Sequence, residues 1–319
     1  ISFIQLSATQ KNNISIDSIF ILNQNTTNSL VHVVIKNQGN TKNNIPIALY
    51  NDDVIFAKQT FTIKTNEKKT IVFPIQNTQK LNGKIVVDFD DTFSFDNSFF
   101  FTLKQDKKIN IFSIGKNHKF LSKIYTKNEF NFNTSPLQNI NYNTLQKQEL
   151  IILNELDVIP NTLIIFLQKH LNENKSLVII PSQKVNINSY NLFFKALNLG
   201  TIQNLKNDNL KITDINFKNP FFKNVFSKEI RNFQYPTVKT YYPNNFKKSA
   251  SLIQFDNQQH FISQIQLQKG MIYLSSSSLN TQNSNFTSSP LIVPLFYNFG
   301  KLSAQYPKPY YTIGLTNFI

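Results

Sequence analysis

The sequence predicts a multidomain β plus α/β protein, with a β-sandwich over residues 1–105 and an α/β domain over residues 106–319. Two observations predict it. Before Asp106 the chain is a succession of strand-length segments rich in β-branched and aromatic residues, separated by Asn, Asp and Gly. After Asp106, apolar runs alternate with helical spacing, most clearly in the strand–helix–strand unit of residues 149–182. A length of 319 residues allows two domains that each bury a core, and 40% hydrophobic with 16% charged residues describes a chain that folds.

In the first region, strands are expected at residues 18–22, 30–36, 45–50, 54–60, 70–75, 84–89 and 98–103. Val31, Val33 and Ile35 alternate with His32, Val34 and Lys36, so one face is buried and the other partly wet. Asn37-Gln38-Gly39-Asn40, Asn51-Asp52-Asp53 and Asn82-Gly83 are turns of residues that tolerate left-handed backbone. About seven strands in roughly a hundred residues is the count of an immunoglobulin-like sandwich.

The second region opens with an expected strand at 108–114 and a helix at 118–125. Leu150-Ile151-Ile152-Leu153 and Leu177-Val178-Ile179-Ile180 are unbroken apolar runs, the pattern of parallel strands covered on both faces. Between them Leu163, Phe166, Leu167 and Leu171 recur at helical spacing behind Pro160, which suits a first helical turn. Such a crossover is right-handed, and its strand ends open the crevice where α/β proteins place their sites. A helix at 189–199 stopped by Gly200 follows, then a less regular stretch that includes residues 221–226. Strands are expected at 237–242, 250–255, 260–267 and 270–275, with a closing helix at 290–299. Residues 275–278 and 280–289 read as a polar loop without chemistry of its own.

Composition excludes several functions. The net charge of +15 is carried by Lys, with Arg231 the one exception. Nucleic-acid readers rely on the planar fork of Arg, so no nucleic-acid partner is expected. Dispersed Lys is compatible with an acidic protein or an anionic lipid surface. Absence of cysteine removes disulfides, zinc–thiolate sites and cysteine nucleophiles together. His32, His118, His170 and His260 are not spaced as a metal pair. No apolar run reaches the ~18–20 residues that span a bilayer. The first residue is Ile1, so processing or truncation is expected to have removed the true start.

Three residues in or near the crevice are catalytic candidates. Ser182 follows the second apolar strand, and His260 lies downstream as a general base would. Ser182 lacks the flanking glycines of a nucleophile elbow, so loop capping is the favoured reading. Glu155, with Asn154, is the best polar pair in the crevice, and a turn-and-capping role ahead of Pro160 is expected of it. Asp88, Asp90 and Asp91, with Asp96 and Asn97, form the densest acidic cluster and offer oxygen ligands for calcium. They lack the spacing and glycine of an EF-hand, and a solvated hairpin is expected there. On this reading no catalytic residue, cofactor or metal is assigned.

The first region resembles the cell-adhesion-related β-sandwich domains of bacteria, through Val31-His32-Val33-Val34-Ile35-Lys36-Asn37-Gln38-Gly39-Asn40 and the segments 70–75 and 83–89. The second resembles the flavodoxin-like, class I glutamine amidotransferase-like fold found in Bat-type, aerotolerance-related bacterial membrane proteins. The segments that carry this likeness are 150–155, 159–160, 176–182, 219–226, 233–236 and 284–286 ahead of 293–295. Where relatives carry a Gly pair before the second strand, this chain has Asn174-Lys175, and Asn can hold the left-handed position. The family's nucleophilic cysteine is absent. The resemblance implies a periplasmic, non-enzymatic scaffold that is anchored by segments outside this chain and partnered by other proteins of a membrane complex. Two alternatives stand beside it: a serine-dependent hydrolase or transferase using Ser182 and His260, and a carbohydrate- or peptidoglycan-binding protein suggested by abundant Asn, Tyr and Phe.

Overall fold

A computed structural model describes residues 12–23, 28–76, 81–91, 93–103, 108–116, 118–222, 234–304 and 310. The expected boundary residue Asp106, the stretch 223–226, Arg231 and Phe233 lie outside the described residues. The chain divides into two compact units, Ile1–Lys107 with Tyr306–Ile319, and Lys108–Gln305.

The first unit contains β1 (Asn13–Asn23), β2 (Asn28–Gln38), β3 (Lys42–Asn51), β4 (Val54–Ile63), β5 (Lys68–Gln76), β6 (Leu81–Val87) and β7 (Ser98–Leu103). They form two antiparallel sheets, β1-β2-β5 and β4-β3-β6-β7. The alternation written into β2 and β6 sends Val31, Val33, Ile35, Leu81, Ile85 and Val87 into one core with Ile47, Leu49 and Phe73. Each such side chain contributes roughly 1.5–3 kcal/mol on leaving water. Gly83 faces Phe101 across the β6–β7 pair, and a Cβ there would lie 2.2 Å from the ring. The glycine is the room the phenyl ring occupies. Tyr310 returns to this unit and sets its ring edge-on to Phe99 at 4.7 Å.

The second unit is built in the order β8 (Ile109–Gly115), α1 (Lys119–Ile124), β9 (Phe130–Ser135), α2 (Tyr142–Leu145), β10 (Leu150–Leu156), α3 (Asn161–Asn172), β11 (Ser176–Pro181) and α4 (Ile187–Ala196). It continues with β12 (Lys206–Ile215), β13 (Thr237–Tyr241), β14 (Ser249–Phe255), β15 (His260–Gln266), β16 (Met271–Ser275) and α5 (Ile292–Ser303). All nine strands share one sheet, ordered β13-β12-β14-β15-β16-β11-β10-β8-β9. From β9 to β16 the neighbours are parallel, and from β16 to β13 they are antiparallel.

The unbroken apolar runs of β10 and β11 now have a physical reason. Leu150, Ile152, Val178 and Ile180 pack on one side with α1 and α5, while Ile151, Leu153, Leu177 and Ile179 pack on the other with α3 and α4. Helix boundaries follow local chemistry. Pro160 precedes α3 in extended geometry, and Asn186 Oδ1 accepts from Ser189 N at 3.0 Å to cap α4. Asn174 takes φ +63° after α3, and Asn198 takes φ +54° after α4. The second of these, rather than Gly200, supplies the left-handed residue that ends its helix.

The expected fold class is corrected at this point. The first unit is two antiparallel sheets over one core, but the flavodoxin/amidotransferase-like α/β domain expected to follow it is not what forms. The described residues are 47% strand and 21% helix, and the chain is mostly β with large sheets. The cause lies in the stretch read as less regular. β12, not expected as a strand, pairs with β13 and β14, so four strands in antiparallel pairing extend the sheet beyond β16. No helix among the described residues is long and apolar enough to cross a membrane.

Candidate functional site

The C-terminal ends of the parallel strands bring polar residues together in the second unit. β10 ends in a bulge, where pairing steps from Asn154 opposite Ile180 to Leu156 opposite Pro181. Glu155 is the residue left over, in left-handed backbone at φ +55°. A non-glycine residue there costs on the order of 1–2 kcal/mol, so its surroundings must hold it. The side chain is 6% exposed, and Oε1 accepts from Asn280 N at 2.9 Å and Asn280 Nδ2 at 3.0 Å. Glu155 thereby pins the loop after β16 to the end of β10.

The neighbouring strand end is locked in a similar way. Gly115 closes β8 at φ +128°, and a Cβ there would meet the Asn154 carbonyl oxygen at 1.9 Å. Lys116 N donates to Asn154 O at 3.0 Å, and Asn154 Nδ2 donates back to Lys116 O. His118 bridges Ser113 Oγ at 3.0 Å and Gly115 O at 2.9 Å, and burial pushes its pKa down against the effect of the Gly115 carbonyl.

Ser182 is buried at the end of β11, and its hydroxyl accepts from Lys184 N at 3.0 Å. Its carbonyl accepts from Tyr242 Oη at 3.0 Å, and the same Oη accepts from Val185 N at 3.2 Å. Burial raises the Tyr242 pKa, so it serves as a neutral phenol in this loop. His260 opens β15, and its Nδ1 lies 3.2 Å from Ser263 Oγ; burial lowers its pKa. β16 separates β15 from β11, so the two strand lines are about 10 Å apart. Ser182, His260 and Glu155 thus share one end of the sheet but engage three different partners.

The loop after β16, read in the sequence as polar and inert, is the part that sequence reasoning missed. Ser275, Ser276, Ser277 and Ser278 are all buried. Ser275 Oγ donates to Ser277 O at 2.7 Å, and Ser277 Oγ donates to Thr240 O at 2.9 Å. Asn283 ties the group to β13. Its Oδ1 accepts from Thr240 N at 2.9 Å and Thr240 Oγ1 at 2.7 Å, while Nδ2 donates to Ser277 Oγ at 2.7 Å. Four serines directly behind a buried apolar strand were the available signal. The Ser275 and Ser277 hydroxyls are bonded within the loop and to β13, whereas those of Ser276 and Ser278 have no hydrogen-bond partner among the described residues.

The acidic cluster lies in the first unit. Asp88 and Asp90 are exposed, whereas Asp91 accepts from Ile14 N at 2.9 Å, Phe93 N at 3.1 Å and Asn97 Nδ2 at 3.3 Å. Among the described residues, no group of three or more His, Cys, Asp and Glu side chains is placed to hold a metal.

No protein family and no curated protein matches this chain in sequence. Among solved structures, the cytoplasmic protein STM3548 from Salmonella typhimurium is similar at 11% identity and a TM-score of 0.48, covering 61% of this chain and 98% of that one. The cytoplasmic protein STM1381 from Salmonella typhimurium LT2 is similar at 10% identity and a TM-score of 0.49, covering 62% and 100%. The exo-β-1,4-mannosidase Op5Man5 from Opitutaceae bacterium strain TAV5 is similar at 9% identity and a TM-score of 0.39, covering 57% and 33%.

Proposed function

We propose that this chain is a non-enzymatic interaction and scaffold module, held on the extracytoplasmic side of a bacterial membrane by segments outside it. The observation that carries the reading is the separate engagement of the three catalytic candidates. Ser182 Oγ caps its own loop through Lys184 N, His260 Nδ1 meets Ser263, and Glu155 holds Asn280. A serine nucleophile needs its base within hydrogen-bond reach, and that pairing is missing between Ser182 and His260. The likeness of segments 150–155, 159–160 and 176–182 to Bat-type membrane proteins supports the placement and a membrane-complex partner. The net charge of +15, carried by Lys, supports an acidic protein or lipid surface as what it meets.

A serine-directed fluorophosphonate probe tests the chemical half of this reading. Wild type and Ser182→Ala are expected to label equally, at background. Stoichiometric labelling of Ser182 that His260→Ala abolishes would establish the hydrolase instead. Purification of the native protein from membranes under mild detergent tests the other half. Recovery with stoichiometric partner proteins is expected, and a lone cytoplasmic monomer would defeat the scaffold.

A further inference from the structure

Away from the crevice, the first unit gathers a set of oxygen atoms whose bonding does not close. Asn13 opens β1, and its Nδ2 donates to Asp96 Oδ2 at 3.0 Å. The next residue, Ile14, donates its backbone N–H to Asp91 Oδ2 at 2.9 Å. Asn97 Nδ2 donates to Asp91 Oδ1 at 3.3 Å and to Phe89 O at 3.0 Å. Two carboxylates and two amides, drawn from the start of β1 and the turn before β7, are thereby held at one place.

Three oxygens of this group have no hydrogen-bond partner among the described residues: Asn13 Oδ1, Asp96 Oδ1 and Asn97 Oδ1. Asn13 is 6% exposed and Asn97 4%, so bulk water does not serve them. All three are acceptors, and acceptors cannot pair with one another. Turning either amide over does not help, because its oxygen would then face a carboxylate. The shared deficit is positive charge. The nearby Lys42 ammonium is engaged elsewhere, with Asn37 Oδ1 at 2.6 Å and Asn40 O at 3.3 Å, over the Phe89 ring.

We propose that Asn13, Asp91, Asp96 and Asn97 form a binding site for a hard divalent cation, calcium. Asp96 and the two amide oxygens are the ligands, and Asp91 supplies the second negative charge. The donor set is all oxygen, which selects against zinc and copper. Two carboxylates balance one divalent ion. The Asn13 amide sits directly on the Asp96 carboxylate, with Nδ2 3.0 Å from Oδ2. Ligands across a calcium ion at 2.3–2.6 Å are separated by up to about 5 Å. Four residues leave coordination places to water, which sets the affinity at about 10⁻⁴–10⁻³ M, the range of extracellular modules. Asn13 is 83 positions from Asp96 and the other three residues share a short turn, so no sequence motif announces the site. Asp88 and Asp90, the more obvious acidic residues, are exposed and stand outside it.

The test uses the full chain, stripped with EGTA and titrated with calcium chloride by calorimetry and by thermal unfolding. One equivalent is expected to bind, with a rise in Tm of at least about 3 °C at 10 mM calcium. Asp96→Asn is expected to fold, because it removes a half-buried charge and keeps an acceptor, and to lose the calcium response. Absence of heat and of a Tm shift in wild type would overturn the proposal, whatever the variant does. An equal response in Asp96→Asn would overturn it, as would an identical rise with magnesium, which marks a general ionic effect. A Tm that rises on acidification and ignores calcium would assign the unpaired oxygens to a proton on Asp96 instead.

Discussion

His170 shows what a single buried polar side chain contributes. It lies on the inner side of α3, 2% exposed, with Nε2 at 3.1 Å from the Ser176 carbonyl oxygen. Burial pushes its pKa from 6.5 down to about 4, with the Ser176 carbonyl and Glu173 opposing and Lys175 assisting. The folded value lies below the unfolded one, so the neutral ring stabilises the fold above pH 6.5. That contribution, on the order of 3 kcal/mol, is lost as pH falls towards about 4. His118 and His260 are shifted in the same direction by burial. Urea midpoints of the wild type are therefore expected to fall between pH 6.5 and 4. In His170→Gln, which keeps a donor for Ser176 O, the slope should be clearly shallower. Equal slopes in both proteins would remove His170 from the account. Phe166, one helical turn before it, stacks on the His170 ring at 6.2 Å, so the spacing that made Phe166 an apolar position of the helix also carries His170 inward. The left-handed backbone of Glu155 was not legible, because glutamate carries no such preference, whereas Asn174 and Asn198 advertise theirs.

At the scale of the element, the bulge of β10 is what organises the crevice. It turns Glu155 out of register and lets one carboxylate oxygen take both the backbone and the side-chain N–H groups of Asn280. Removing that acceptor leaves two donors short of a partner. Glu155→Ala should destabilise the fold by about 1.5–3 kcal/mol, read as a lower urea midpoint. Glu155→Gln keeps a carbonyl oxygen and should recover more than half of the loss. Equal losses would mean that charge rather than hydrogen bonding does the holding. Elements with strong periodicity were readable: β2, β10, β11 and α3 all follow from their apolar spacing. β9 and β12 were not. β9 alternates Phe with Asn and lies at the sheet edge, so its pattern looks like a polar loop. β12 begins with four exposed residues, and a register shift between Ile212 and Asp214 breaks its period of two. Missing β12 hid how the strands at 237–241 and 249–255 join the sheet, since it lies between β13 and β14.

On the scale of the whole molecule, the change of pattern near Asp106 indicated two domains, and each unit encloses its own apolar core. Val31, Ile47, Phe73 and Ile85 share one core, whereas Ile111, Ile152 and Phe299, with Leu153, Leu167 and Phe193 across the sheet, fill the other unit. Separate cores predict separate unfolding, because each transition exposes the surface that its own core had buried. Calorimetry of the full chain should resolve two transitions, the larger enthalpy belonging to 108–305 at about 0.7 kcal/mol per residue. The two ligand effects argued above then sort by unit. Calcium binds only the folded form of the unit holding Asn13 and Asp96, so it should raise the smaller transition and leave the larger in place. Protons bind more tightly to unfolded His170, so acidification from pH 6.5 should lower the larger one. A single transition, or two that move together under calcium, would show that the cores are energetically one and would defeat this division.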